Sequence, residues 1–229
     1  MRSAGILLPI TALPSPFGIG TMGRAAREFV HFLKRAGQSY WQILPLNPTS
    51  YGDSPYQSFS SFAGNPYLID LDALKDEGLL QPEEYETLSW GKNPNDVDYG
   101  LLYENRFGVL QKAVERLENS HAQELQAFCE KNAAWLDDYA LFMALKDDFS
   151  GAPWSQWPSA LKKREPNALE EARTRLSRAV QFWKGVQYLF FRQWKSLKAY
   201  ANENGIQMIG DLPIYTAADS ADIWAAPEE

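Results

Sequence analysis

A carboxylate set inside an apolar run is the residue of this sequence that most plainly asks for a chemical role. Asp211 interrupts Ile206-Gln207-Met208-Ile209-Gly210-Asp211-Leu212-Pro213-Ile214-Tyr215, which otherwise reads as a buried strand. Burying an ionised carboxylate is costly unless it is hydrogen-bonded or faces a site. The C-terminal ends of strands in α/β folds are where such sites gather. Asp211 is therefore the leading candidate acid, with a structurally satisfied buried Asp as the bland alternative. Acid–base work by carboxylates commonly pairs two of them in environments that set different pKa values. No second acid occupies an equivalent place. Asp219 and Asp222 read as first-turn residues of a helix beginning near Ala218, and Asp137, Asp138, Asp147 and Asp148 read as a solvated face.

The densest polar candidate is the segment from Gly52-Asp53-Ser54-Pro55-Tyr56-Gln57-Ser58 through Phe59-Ser60-Ser61-Phe62-Ala63-Gly64-Asn65-Pro66. Ser, Gln and Asn supply neutral hydrogen bonds, while Tyr51, Tyr56, Phe59 and Phe62 supply flat faces. That mixture suits a neutral polyhydroxylated ligand better than a phosphate. The alternative is a loop that packs its own aromatics. Ser54 is a poor nucleophile candidate, because no G-x-S-x-G elbow or nearby His supports it. Gly18-Ile19-Gly20-Thr21-Met22-Gly23 matches G-x-G-x-x-G and precedes a helix, which raises a nucleotide-binding oxidoreductase as a second function class. Against it, two prolines stand between Ile10 and Gly18, and no Asp or Glu ends the following strand.

The elements that must carry these residues follow from periodicity and punctuation. Ile6-Leu7-Leu8-Pro9-Ile10 and Tyr40-Trp41-Gln42-Ile43-Leu44-Pro45-Leu46 read as strands buried on both faces. Between them Ala25, Ala26, Phe29, Phe32 and Leu33 lie at helical spacing, with Gly37 as a stop. Strand, helix, strand makes a βαβ unit with parallel strands. Helical stripes follow at Tyr103, Phe107, Leu110, Val114 and Leu117, then at Trp135, Tyr139, Phe142 and Leu145. A long helix carries Leu176, Val180, Trp183, Leu189, Trp194, Leu197 and Tyr200, and Ile206–Tyr215 forms the third strand.

Composition narrows the function classes. The 229 residues carry 22 Lys+Arg against 29 Asp+Glu, a net charge of -7, which argues against a nucleic-acid or anionic-membrane surface. The single cysteine, Cys129, excludes an intrachain disulfide framework, and two histidines leave His-rich metal sites poorly supplied. No apolar run is long enough for a membrane helix, and the N-terminal run is broken by proline too early for a signal peptide. A cytoplasmic protein is expected. The 8 Trp, 11 Tyr and 12 Phe fill a core, or build faces that stack on sugar rings.

Taken together, several segments are similar to a known family. Ile6-Leu7-Leu8-Pro9-Ile10…Leu13-Pro14, Trp41-Gln42-Ile43-Leu44-Pro45-Leu46, Gly52-Asp53-Ser54-Pro55-Tyr56-Gln57-Ser58…Ala63-Gly64-Asn65-Pro66 and Gly210-Asp211-Leu212-Pro213-Ile214 resemble the 4-α-glucanotransferases called amylomaltases or disproportionating enzymes. Tyr99-Gly100-Leu101-Leu102-Tyr103 and Tyr139-Ala140-Leu141-Phe142-Met143-Ala144-Leu145-Lys146 match as well. The resemblance implies the N-terminal part of a (β/α)8 TIM barrel of the α-amylase clan, with a large, mostly helical insertion after strand 2. The three barrel strands would lie at 5–10, 40–46 and 206–214. Residues 1–46 would hold strands 1 and 2 with their helix, 47–175 the site loop and helical insertion, and 176–229 the long helix, strand 3 and the start of the next helix.

The resemblance also implies a retaining double displacement that moves α-1,4-glucan segments between maltodextrins, with neither organic cofactor nor metal. The family's nucleophile motif, Arg-x-Asp-His, is absent here, so nucleophile and acid/base are expected in a missing C-terminal half of the barrel. The chain alone would then be inactive, or act as a glucan-binding fragment. By the same resemblance Tyr56 walls the sugar site, with Ser54 and Pro55 shaping it, and Asp211 lines the catalytic centre. Tyr51 and Tyr103 correspond to a second glucan platform. An incomplete barrel is expected to expose apolar strand edges and to self-associate.

Overall fold

The computed structural model describes residues 2–50, 52–93 and 95–226. In chain order it runs β1 (Gly5–Leu7), α1 (Arg24–Arg35), β2 (Tyr40–Gln42), α2 (Leu71–Asp76), α3 (Tyr99–Ser120), α4 (Ala122–Asp148), α5 (Ser159–Lys162), α6 (Pro166–Arg175), α7 (Ser177–Glu203), β3 (Gln207–Ile209) and α8 (Ala221–Ala225). Short 3-10 turns at Ile10–Ala12, Pro66–Leu68, Pro82–Glu84 and Trp154–Gln156 join them. Among the described residues no helix is long and apolar enough to cross a membrane. Two compact units result. The first comprises Met1–Leu46, Asn65–Leu117 and Leu189–Leu212; the second comprises Asn47–Gly64, Glu118–Tyr188 and Pro213–Glu229.

The first unit is built on a parallel sheet in the order β1-β2-β3. Ile6 sits beside Trp41, and Trp41 beside Met208. The strands are shorter than the apolar runs that encode them. Leu8 still donates to the Gln42 carbonyl and Ile43 to that of Ile209, both at 2.9–3.0 Å, but the chain then leaves the ladder. Pro9, Pro45 and Pro213 have no N–H to extend it, and Ile10–Ala12 coils into a 3-10 turn. So β3 stops at Ile209, and the expected buried strand through Ile214 is not formed. Leu212 and Ile214 are instead among the most exposed apolar residues, at 79% and 91%.

Trp41 is the keystone of this unit. It is fully buried, its Nε1 donates to the Leu8 carbonyl at 2.8 Å, and Phe29 of α1 meets it edge-on at 4.9 Å. Ala26, Val30 and Leu33 form the buried stripe of α1, one position round from the stripe expected from Phe32. Phe32 is outside, stacked on Phe29. Gly37 ends α1 at positive φ, with its N–H on the Lys34 carbonyl and the Gln38 N–H on that of Leu33. That is the paired bonding of a glycine-terminated helix.

The second unit is held by α4 against α8 and by an aromatic cluster. Phe142, Trp157 and Trp224 lie with ring centroids 5.4–6.0 Å apart. Their polar atoms are satisfied: Trp157 Nε1 donates to Ala152 O and Trp224 Nε1 to Leu161 O. Truncating such a ring costs about 3–5 kcal/mol. Much of the unusual aromatic content is thus core.

Candidate functional site

The serine-rich loop lies in the second unit and is held at many points. Thr49 and Ser58 form an antiparallel bridge, and both the amide and the hydroxyl of Ser50 donate to Gln57 O, at 3.1 and 2.8 Å. These contacts close a turn in which the Tyr56 amide donates to Ser54 Oγ at 3.3 Å and the Gln57 amide to Ser54 O at 3.2 Å. Ser54 is therefore occupied as a turn former, and Pro55 restricts the backbone between it and Tyr56. The Tyr56 ring is 47% exposed. Beyond the turn, Asn47 Nδ2 donates to the carbonyls of Ser60 and Ala63, at 3.1 and 3.2 Å. Gln187 of α7 brackets Gly64, accepting its N–H at 2.7 Å and donating to its carbonyl at 3.0 Å. Buried backbone groups are thus satisfied by side chains, and the loop needs no regular structure to be ordered. Phe62 stays exposed, nearly parallel to Trp135 with centroids 6.3 Å apart.

The glycine motif of the first unit resolves against a nucleotide. A Cβ on Gly20 would lie 2.0 Å from the Ile10 carbonyl, and one on Gly18 2.3 Å from that of Trp90. These glycines let the chain pack against itself. Gly20 donates to Thr11 O and Met22 to Leu68 O, so those amides are already used. Gly23 is the N-cap of α1, where a pyrophosphate would dock. That place is taken by the carboxylate of Asp70, which a Gly23 Cβ would meet at 1.9 Å. Asp70 is 8% exposed, accepts from Thr21 Oγ1 at 2.6 Å and from Ala73 N at 2.8 Å, and has its own N–H and carbonyl bracketed by Gln193. An internal anion so fixed excludes an external one. The glycine loop instead lines a cavity of about 510 Å³, together with Pro14, Pro16, Trp90, Asn93 and Asp96.

Asp211 lies two residues past the end of β3 and is half-buried. It is therefore a loop residue at the C-terminal end of the sheet, and not a member of a buried strand. Tyr103, on α3, is 65% exposed and meets Phe107 edge-on at 5.6 Å. The buried face of α3 runs instead through Leu102, Arg106, Val109, Leu110, Ala113, Val114 and Leu117. Tyr51 lies outside the described residues. Among the described residues no group of three or more His, Cys, Asp or Glu is gathered so as to hold a metal ion.

The acids set aside as solvated are engaged. Asp138 pairs with Arg164 at 2.6 Å, Asp148 with Arg175 at 2.7 Å and Asp137 with Lys184, while Asp147 accepts from Trp183 Nε1 at 2.9 Å. Asp219 pairs at 2.6 Å with Lys146, whose ammonium also donates to the carbonyls of Gly151 and Ala152. Asp222 accepts from Ser60 Oγ at 3.1 Å and from the Ser61 amide at 2.6 Å. Asn47, Gln187, Lys146 and Asp222 are thus the residues sequence reasoning missed. The one available signal was Lys146, a cation directly following the apolar run Ala140–Leu145, which needs a partner if it is buried with that run.

Comparison with known proteins bears on this arrangement. A family model described as 4-alpha-glucanotransferase matches residues 8–229. The 4-alpha-glucanotransferase of Thermus thermophilus is 52% identical over 231 residues, spanning 99% of this chain and 45% of that protein. That of Clostridium butyricum is 49% identical over 219 residues, spanning 96% and 45%. A chloroplastic/amyloplastic 4-alpha-glucanotransferase of Solanum tuberosum is 39% identical, spanning 98% and 40%. The solved structure of an amylomaltase from Streptococcus agalactiae in complex with acarbose superposes with a TM-score of 0.97 at 45% identity, covering 100% of this chain and 46% of that one. An amylomaltase of Corynebacterium glutamicum, at 15% identity and a TM-score of 0.71, shares the fold. The chain spans less than half the length of the relatives it matches. Its three parallel strands and many helices are those of the N-terminal part of a (β/α)8 barrel.

Proposed function

Because the chain belongs to the 4-alpha-glucanotransferase family, we propose that it supplies sugar-binding parts of an enzyme that moves α-1,4-linked glucan segments between maltodextrins. The chemistry is a retaining double displacement. The nucleophile and the acid/base come from a second half of the barrel, which is this chain's principal partner. The observation that carries the reading is the superposition of the whole chain on 46% of an amylomaltase that holds acarbose.

The residues take the following roles in this proposal. Tyr56 offers a half-exposed ring, suited to the C–H face of a glucosyl unit. Ser54 and Pro55 set the turn that aims it. Asp211 stands just past a strand's C-terminal end, where barrel enzymes keep their polar site residues, and there it orients a sugar hydroxyl or a neighbouring catalytic side chain. Tyr103 contacts glucan away from the catalytic centre, a role supported by its exposure beside Phe107, and Tyr51 is assigned the same kind of role on the resemblance alone. Starch- or glycogen-derived maltodextrins are the substrates, and a cytoplasmic setting belongs to the same reading, supported by the single free thiol of Cys129.

The test is to incubate the purified chain with maltotriose and read released glucose and longer oligomers, with maltoheptaose and acarbose binding followed by calorimetry. Binding without products is expected. Products would place the complete carboxylate machinery within these residues and overturn the division of labour. No binding of either ligand would overturn the sugar-binding assignment.

A further inference from the structure

We propose that Asp222 is a positioning residue for the sugar-contacting turn that carries Ser54, Pro55 and Tyr56. The inference rests on the glucan reading above. Asp222 belongs to the first turn of α8, yet its carboxylate turns away to the serine loop. One oxygen accepts from Ser60 Oγ at 3.1 Å and the other from the Ser61 amide at 2.6 Å. Ser60 is 1% exposed and passes the constraint on. Its Oγ accepts the amides of Phe62 and Ala63, its own amide donates to Ser58 Oγ, and Ser58 Oγ donates back to Ser60 O. Ser58 in turn bridges to Thr49, which closes the turn on which Tyr56 sits. Among the described hydrogen bonds the Ser60 hydroxyl donates to Asp222, and this bond holds the rotamer in which its Oγ accepts the two amides.

Asp222 can serve as an anchor because its own segment is fastened elsewhere. Asp219 is tied to buried Lys146 and also accepts the Trp154 amide at 3.1 Å. Trp154 Nε1 donates to Ala218 O, Ser220 Oγ caps α8 through the Ile223 amide, and Ala221 donates to Phe59 O. Fully buried Trp224 closes the far end through Leu161 O. A carboxylate on so firmly held a segment is a fixed reference for a loop that has no ladder of its own. Charge-assisted bonds of this kind are the stronger ones.

Three variants of the chain test this: Asp222→Ala, the isosteric Asp222→Asn, and Ser60→Ala. Asn keeps an acceptor for the Ser61 amide but leaves the Ser60 hydroxyl without one. Amide exchange at Ser61, Phe62 and Ala63 should quicken most in the Ala variant and less in Asn. Maltoheptaose affinity, measured well below the unfolding temperature, should fall about tenfold in Asp222→Ala, the size expected for losing hydrogen bonds to a charged group. Ser60→Ala, which also takes the acceptor from the Phe62 and Ala63 amides, should quicken their exchange more than Asp222→Asn, and the pair should be non-additive. Faster exchange with unchanged affinity would make Asp222 merely structural and overturn the proposal, as would unchanged exchange. A wild-type chain that binds no maltoheptaose would sink the glucan reading, and the positioning role with it. A wild type that binds and variants that bind equally would sink only the latter.

Discussion

At the scale of single residues, exposure separates side chains that work from those that hold. Tyr56 is 47% exposed, so much of its ring is open to a ligand. Tyr56→Ala should therefore weaken maltoheptaose binding about tenfold or more, since ring stacking and the hydroxyl are both lost, while the unfolding midpoint stays within a degree or two. Calorimetry beside a thermal melt checks both halves; equal affinity would remove Tyr56 from the sugar wall. Glu84 shows the opposite case. Arg116 holds it through two bonds at 2.6 and 2.8 Å, and this pairing, with the Gln81 amide, pulls its carboxyl from 4.5 down to about 2. A carboxyl lowered by folding stabilises above its unfolded pKa, and that contribution is lost as pH falls through the folded one. Glu84→Gln should thus be less stable than the wild type at neutral pH. The gap should close between pH 4.5 and about 2, as read by denaturant titration at several pH values.

At the scale of elements, the entry to α1 is the most constrained joint of the first unit. Asp70 stands against the N-cap glycine, caps α2 through the Ala73 amide, and is bracketed by Gln193 of α7. One carboxylate thus serves two helix starts. A methyl at Gly23 must displace it, breaking the Thr21 or Ala73 bond inside a buried setting. Gly23→Ala should cost about 2 kcal/mol or more, or roughly 4–8 °C in unfolding temperature for a chain of this size. A melt unchanged within 1 °C would show that Asp70 has room to move. The fully buried guanidinium of Arg106 belongs to the same joint. It donates to the carbonyls of Tyr67 and Ile69, and burial draws its pKa down to about 10, still above neutrality.

At the scale of the whole molecule, the sheet ends where the relatives continue. β1 and β3 each have one strand neighbour among the described residues, and Leu7, Ile209 and Leu212 stand exposed beside these edges. A soluble surface rarely leaves so much apolar strand area open, and such edges invite pairing. The chain by itself should bind hydrophobic dye and sediment above its 26.0 kDa mass. Addition of the remaining half of a family barrel should suppress both. A dye-negative monomer by analytical ultracentrifugation would show that these edges are covered from within.

How much was legible in advance depends on how far apart the interacting residues lie. The three strands, the helix between the first two, the glycine stop at Gly37 and the long α7 were all readable, because period and punctuation act over a few neighbouring residues. Four motifs in the right order made the family readable as well. Strand lengths and helix rotation were not. Val30 rather than Phe32 faces the core, and Leu102 and Arg106 rather than Tyr103, because adjacent stripes on a helix differ only in what is packed against them. The purpose of the glycines and the partners of the acids belonged to tertiary structure alone. Gly23 is a glycine because of Asp70, Lys146 is neutralised by Asp219 from 73 positions away, and Ser60 is held by Asp222 from 162 away. Local sequence determines what each segment tends to become. Which buried polar groups meet is decided only when the chain returns on itself, since the cost of leaving any of them unpaired is felt only once water has gone.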